Sequence, residues 1–362
     1  MKLFALLLAV TISLVTLINM KSGQLSEINR ISPSKSQIEV TDYLGRQVTI
    51  PYPVTRAAII NPYCAELVTA AGAGSSICGV DKDIYENRAA FPFPITKDMI
   101  IGGHGEQQLN YEKLIAMRPE ILILDSGFYY RRAEQILSPF GIKILVIHTD
   151  SANLFSHNCD LLGKIFHTEP QAERLKNYFE GQWNYVRNQL KDEPKKRVYY
   201  ECRREGRSII PGEPFNELLD VAHAENVFND ANSIWVSNEY TIMRNPDYIV
   251  RLSDSNEDYS YYPPSENHFR QIHEDIRNRK CWSYINAVKE DNIFLFSYYS
   301  HGGAGKIVGG LYLAKYLYPE LLPDLHPEDA FKTWLEEYEG VSYLPGHTYP
   351  SYHLVAGDTH EP

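Results

Sequence analysis

The chain is 362 residues long, enough for two domains of ordinary size that each bury a core. Hydrophobic residues make up 44% and charged residues 22%, the balance of a globular chain rather than a disordered one. A net charge of −11 speaks against nucleic acid or an anionic membrane surface as a partner. Tyrosine is the compositional outlier at 26 residues. Several sit in polar stretches such as Tyr298-Tyr299, where an amphipathic ring can stay half-buried or line a site.

At the N-terminus, Lys2 precedes an apolar run from Leu3 to Met20, interrupted by Thr11, Ser13, Thr16 and Asn19. Residues 1–22 therefore read as a secretory signal or, if uncleaved, an N-terminal anchor. No Cys follows the run, which disfavours a lipid-anchored lipoprotein. Either way the body of the chain is expected outside the cytoplasm, with residues 23–37 as a linker. The five cysteines, Cys64, Cys78, Cys159, Cys202 and Cys281, are scattered without a CxxC. That spacing excludes a zinc ribbon or a haem c attachment, and allows a disulfide while leaving at least one thiol free.

Residues 38–50 alternate apolar and polar around Leu44-Gly45, a hairpin. Strands are predicted at 56–60, 77–80, 121–124 and 143–147, separated by helical stretches, the first of which ends near Gly72. Alternation of strand and helix argues a parallel sheet with crossover helices over 38–150. The segment 151–192 carries no strand signal. Within it Leu175, Phe179, Trp183, Val186 and Leu190 form one face of a long helix. Thr168 and Gln171 have capping-box spacing, with Pro170 in the first turn. Over 193–340 the alternation resumes, with strands at 197–200 and 293–296, helical stretches at 215–222, 267–279 and 308–318, and a helix-turn-strand unit at 237–251. The tail 341–362 has no strong pattern.

Residues 110–124 (NYEKLIAMRPEILIL) and 237–251 (SNEYTIMRNPDYIVR) superimpose when slid by 127 positions. Glu112 falls on Glu239, Ile115 on Ile242 and Pro119 on Pro246. Each copy predicts a helix opened by Glu, a turn with a Pro that cannot continue it, and a buried strand. Two copies this far apart imply two similar α/β lobes rather than a solenoid. A duplicated lobe leaves a cleft, where ligands bind.

These segments together resemble the substrate-binding proteins of ABC importers for iron–siderophore complexes, haem and cobalamin. The resemblance spans roughly 38–340. It rests on residues 40–60 (VTDYLGRQVTIPYPVTRAAII), on RPEILIL at 118–124, and on Pro194–Tyr200. It rests also on Glu217–Ala222 with Glu225–Phe228, on Asn245–Ile249, and on Gly309–Lys315 with Tyr318-Pro319-Glu320. One departure is Ala222-His223-Ala224, where the family carries a small Gly-rich turn. The resemblance implies two α/β lobes with central parallel sheets joined by a single long α-helix, like a class III periplasmic binding protein. It implies no catalytic activity and no cofactor. It implies a monomer located in the periplasm or otherwise outside the cytoplasm, with a membrane permease and a small-molecule metal chelate as partners. A ferric siderophore is the leading expectation, with haem or cobalamin as alternatives. Glu112 and Glu239 match the residues that dock into permease arginines, a role their symmetric placement suits; both also suit helix N-termini on dipole grounds alone.

The cleft loops at the strand ends supply candidate ligand contacts. They are Tyr63, His104, Tyr129, Tyr130 and Arg131 from the first lobe, and Arg203, Arg204, Trp235, Tyr299 and His301 from the second. Arginine forks fit carboxylate, phosphate or catecholate oxygens, and aromatic rings offer flat walls. His104 and His301 are the candidates for direct metal ligation. Gly302–Gly305 does not match GxxxxGK[ST], so no P-loop nucleotide site follows. No GxSxG, HExxH or paired-carboxylate motif supports an extracytoplasmic enzyme. A bare oxyanion or metal ion is a further alternative, although no short-range His/Asp/Glu cluster is visible.

Overall fold

The computed structural model describes residues 35–103, 108–127, 129–213, 215–253, 261–300, 303 and 305–350. The expected signal or anchor, His104, His301 and most of the C-terminal tail lie outside the described residues. The first lobe opens with the hairpin β1 (Ser36–Thr41) and β2 (Gln47–Tyr52), turned at Gly45, whose φ of 74° favours glycine. Then follow β3 (Ala57–Ile59), α1 (Pro62–Val68), β4 (Ile77–Val80), α2 (Lys82–Glu86), α3 (Tyr111–Met117), β5 (Ile121–Asp125), α4 (Tyr130–Leu137) and β6 (Lys143–Ile147). β3 to β6 form a parallel sheet in the order β4-β3-β5-β6. Its strands are buried nearly throughout, as a sheet covered on both faces requires.

Two helices follow, α5 (Phe155–Phe166) and α6 (Glu169–Leu190). The 22 residues of α6 span roughly 33 Å at the α-helical rise. Leu175, Phe179, Val186 and Leu190 are fully buried along its predicted stripe. The capping-box expectation fails at its start. Thr168 makes no side-chain cap hydrogen bond, and its hydroxyl is buried without a partner among the described residues. The Gln171 side chain packs over Gly72 and accepts from Arg174 instead of turning back to Thr168.

The second lobe repeats the first. β7 (Lys196–Cys202), α7 (Asn216–Val221), β8 (Ala224–Asn226), α8 (Asn238–Arg244), β9 (Tyr248–Leu252), α9 (Glu266–Arg277), α10 (Asn286–Lys289), β10 (Ile293–Phe296), α11 (Gly305–Leu317) and α12 (Pro327–Thr333) follow in order. β11 (Thr348–Tyr349) adds an antiparallel edge strand to β10, an order the tail gave no sign of. The sheet order is β11-β10-β9-β7-β8. In both sheets the first strand lies between the second and the third, so each lobe has one switch point, β3/β5 and β7/β9. His223, in the departing Ala-His-Ala turn, has φ 54°, the left-handed conformation a glycine adopts without strain. Its carbonyl accepts from the Tyr318 hydroxyl at 2.9 Å.

The duplication extends to how each repeat helix is held. Asn110 caps α3 by accepting from the Lys113 N–H at 2.9 Å, and Ser237 caps α8 by accepting from the Tyr240 N–H at 3.2 Å. Both helices end on a left-handed residue before the Pro, Arg118 (φ 52°) and Asn245 (φ 43°). Arg56, immediately before β3, donates to the Met117 carbonyl at 2.7 Å; Arg197, in β7, donates to the Arg244 carbonyl at 2.6 Å. Both guanidinium groups satisfy carbonyls that a helix end leaves orphaned.

Among the described residues no helix is long and apolar enough to cross a membrane. All five cysteines are free thiols, so no disulfide contributes. After α12 the turn Trp334–Glu339 returns to the first lobe, where the Trp334 indole donates to Glu66 of α1 at 3.0 Å. Glu339 is buried beside Glu66, and neither of its oxygens meets a donor among the described residues. Burial first, and then the Glu66 charge, push the Glu339 carboxyl well above its usual range. A raised folded-state value stabilises the fold at acid pH and loses that contribution as pH rises through it. Wild-type protein should therefore lose stability relative to Glu339→Gln as pH climbs from about 5 to about 8, read by urea unfolding. A difference independent of pH would remove the assignment of a neutral Glu339.

Candidate ligand-binding pocket

A parallel sheet brings the carboxyl ends of its strands, and the loops that follow them, to one edge, and ligands sit where the strand order reverses. In the second lobe that place is the loop after β7. Cys202 bonds across to the loop's far end, its N–H donating to the Arg207 carbonyl at 2.8 Å. Between them Arg203 stands at φ 62° and Gly206 at φ 72°. A Cβ on Gly206 would meet the Val236 carbonyl oxygen at 2.8 Å, because segment 234–236 pairs closely with 206–208. This tight loop projects three arginines within five residues.

They enclose a pocket of about 290 Å³ lined by Cys202, Arg203, Arg204, Arg207, Phe215, Trp235 and Tyr298. The Arg203 guanidinium lies 4.0 Å from the centre of the Tyr298 ring. Arg207 pairs with Glu213 at 3.5 Å. Arg204 is exposed and has no acidic partner among the described residues. Arg203, Arg204 and Arg207 bring their guanidinium groups to the pocket, while Trp235 and Phe215 give it apolar walls. Its chemistry suits a planar or chelated anion.

The first lobe reaches this pocket through Tyr63. Its ring centre is 6.2 Å from that of Tyr298, with the two rings tilted at 36°. Burial raises both hydroxyls above the ordinary tyrosine value, so both stay protonated. Gly303 packs directly on Tyr63, where a Cβ would come within 2.7 Å. Beneath, the buried Lys306 ammonium pairs with Asp150 at 3.1 Å and lies 5.4 Å from the Phe215 ring centre. Asp150 also accepts from the Gly303 N–H at 3.3 Å. Glu217 of α7 accepts from Ser151 at 2.9 Å and from the Ala152 N–H.

Of the residues singled out in the sequence, Arg203, Arg204 and Trp235 line one pocket and Tyr63 borders it. Tyr299 does not line it. It is 1% exposed, with its ring against Phe331, His347 and Tyr261 in the core. Residues 298–300 form a tight 3₁₀ turn, which sends successive side chains to different faces, so Tyr298 takes the pocket and Tyr299 the interior. Tyr130 is half-buried under the Arg46 guanidinium at 3.9 Å, while Tyr129 and Arg131 are exposed and outside the pocket. His104 and His301, the candidate metal ligands, lie outside the described residues. Among the described residues no group of three or more His, Cys, Asp or Glu side chains could hold a metal ion. Glu112 and Glu239 are exposed in the first turns of α3 and α8 and are not part of the pocket lining. The Glu239 backbone N–H and the Ser237 hydroxyl hold the Glu239 carboxyl below its ordinary value, so it is ionised at neutral pH. Sequence reasoning missed Tyr298, Arg207 and Phe215. Arg207 lay within the loop noted as a cleft element, and Tyr298 within the Tyr-Tyr pair.

Residues 58–298 match the profile of the periplasmic binding protein family. The chain belongs to that family. Membership makes it an extracytoplasmic substrate-binding protein that serves an ABC transporter. It is 22% identical over 295 residues to an uncharacterised ABC transporter substrate-binding lipoprotein, YvrC, of Bacillus subtilis, covering 78% of this chain and 86% of the relative. It is 23% identical over 207 residues to the vitamin B12-binding protein of Yersinia pestis, covering 56% of this chain and 71% of the relative. Its fold matches the crystal structure of the TroA-like periplasmic binding protein FepB of Veillonella parvula. That match has a TM-score of 0.74 and 20% identity, and covers 86% of this chain and 99% of the other. The class III architecture expected from the resemblance is thereby shown.

The different burial of Tyr299 and Trp235 gives a direct check. Tyr299→Ala should lower the unfolding free energy by about 3 kcal/mol, as large-to-small changes in a packed core do. Trp235→Ala, at a site 53% exposed, should change it by less than about 0.5 kcal/mol. Chemical denaturation of both variants reads the contrast, and equal losses would contradict the assigned faces.

Proposed function

We propose that this periplasmic binding protein captures an anionic metal chelate, a ferric siderophore in the first instance, and delivers it to a membrane permease. The observation that carries the reading is the convergence of Arg203, Arg204 and Arg207 on a pocket walled by Trp235, Phe215 and Tyr298. Guanidinium forks pair with the oxygens of catecholate or carboxylate arms, and the rings stack on their planar faces. A volume near 290 Å³ takes an arm or an edge of such a chelate rather than the whole of it. The amide-rimmed corrin of cobalamin makes less use of three arginines, which ranks it below a siderophore or the carboxylates of haem.

Tryptophan fluorescence titrations with a ferric tris-catecholate, ferric citrate, haemin, cyanocobalamin and molybdate test this. The ferric tris-catecholate should bind with Kd below about 10 μM, equivalent to roughly −7 kcal/mol, and Arg203→Ala should weaken it. Preferential binding of cyanocobalamin or bare molybdate, or no binding by any of the chelates, would overturn the ligand class.

Delivery rests on Glu112 and Glu239, exposed carboxylates at equivalent positions of the two lobes. As solvent-facing groups they contribute little to stability. At an assembled interface, losing one partner of a desolvated charge pair costs about 2–5 kcal/mol. The double variant Glu112→Ala with Glu239→Ala should keep ligand affinity and fold while losing uptake in whole cells. Uptake at the wild-type rate would remove the docking role.

A further inference from the structure

Behind the arginine loop lies a buried ion cluster that the binding role alone does not call for. Glu201, the penultimate residue of β7, is fully buried. Its Oε1 accepts from the Tyr199 hydroxyl at 2.9 Å, the Gly206 N–H at 2.9 Å and Arg279 Nη1 at 2.8 Å. Its Oε2 accepts from Arg279 Nη2 at 2.8 Å and from Arg251 Nη1. Arg251, 5% exposed on β9, sends Nη2 to the Arg203 carbonyl and Nε to the Leu252 carbonyl at 3.2 Å. Arg279 stacks 4.4 Å over the Trp282 ring, with Glu205 at 4.0 Å from its Nε. Burial alone would raise the Glu201 carboxyl; the Arg279 bonds and the charges of Arg279 and Arg251 outweigh it and hold the group below its ordinary range.

Buried ion clusters of this kind are often no more stabilising than well-packed apolar residues, so stability does not explain it. Its geometry does suggest a use. Two main-chain groups of the loop that it grips are the Arg203 carbonyl and the Gly206 N–H, which bracket Arg204 and lie between Arg203 and Arg207. Arg203 sits in a left-handed conformation that a non-glycine residue holds only when its surroundings impose it. With its carbonyl drawn inward by Arg251, its guanidinium is directed outward over Tyr298.

We propose that Glu201, Arg251 and Arg279 form a clasp that sets the conformation of Arg203, so that Arg251, without touching ligand, is a specificity-positioning residue of the pocket. This rests on the reading of Arg203 as a ligand contact. The decisive change is Arg251→Lys, which keeps the charge but replaces a planar fork by a point donor unable to bridge Glu201, Arg203 and Leu252 together.

The test is a double-mutant cycle of Arg251→Lys and Arg203→Ala, read as Kd for a ferric tris-catecholate, with a crystal structure of ligand-free Arg251→Lys. Arg251→Lys should weaken binding about tenfold in the wild-type background and less than about twofold once Arg203 is already alanine. In the crystal, the Arg203 guanidinium should have left the Tyr298 ring. An equal loss in both backgrounds would show that Arg251 acts through the fold and overturn the clasp, as would an Arg203 unmoved in the variant. If the wild-type protein binds no ferric tris-catecholate, the ligand class falls, while the crystal structure still decides the positioning role. Should Arg251→Lys fail to fold, Arg279→Lys, which gives up only the bidentate half of the clasp, is read in the same cycle.

Discussion

A buried ammonium must find a carboxylate, and in this protein that requirement ties the two lobes together. Lys306 of α11 is fully buried and pairs with Asp150, which ends the first lobe. An unpaired charge at that depth is prohibitively unfavourable, so the strand-end loops of the lobes are drawn to one place. The neighbouring contacts follow in sequence: Asp150 holds the Gly303 N–H, Gly303 lies on Tyr63, Tyr63 meets Tyr298, and Tyr298 carries Arg203. The pocket thus rests on the junction between the lobes although its lining comes from the second. A side chain at Gly303 would collide with Tyr63 and disturb every later link.

Much of the architecture was legible because its signals are local. Proline after a helix, an apolar run of strand length and an acidic first turn are each written within a few residues, and their recurrence at 110–124 and 237–251 pointed to two lobes. The apolar stripe of α6 was equally plain. Arg203, Arg204 and Trp235 could be named because arginines and an indole in strand-end loops have few purely structural uses. What failed depended on phase or on distance. Tyr298 and Tyr299 are indistinguishable in sequence, and only the rotation of a 3₁₀ turn decides which faces the pocket. Thr168 has the spacing of a cap, but Gln171 is drawn to Gly72 by packing that sequence does not display. Glu66 and Glu339 meet only after the whole second lobe has folded between them, and β11 is two residues that pair because β10 offers an edge.

The two lobes are alike in frame and unlike in chemistry. Both hold their repeat helix with an arginine on its C-terminal carbonyls and a polar N-cap, and both present a glutamate in its first turn. The loops at the switch points have diverged instead. After β5, Asp125 accepts from the Thr149 hydroxyl at 3.1 Å, and Ser126 bonds His148 at 2.6 Å. After β7, the loop carries arginines. Duplication has preserved the frame of the repeat helices while the loops at the switch points differ.

The distribution of burial around the arginines bears on how affinity is reached. Long flexible side chains lose rotamer freedom when they grip a ligand, and that loss subtracts from binding. Arg203 is already fixed by its backbone conformation and by the Tyr298 ring, and Arg207 by Glu213, so part of that entropy is surrendered in folding rather than in binding. Arg204 is exposed and has no acidic partner among the described residues, which leaves it to adapt. The pocket thus combines two held guanidinium groups with one exposed one. The lining is supplied by one lobe, and the lobes are tied both by a 22-residue helix and by the Lys306–Asp150 pair.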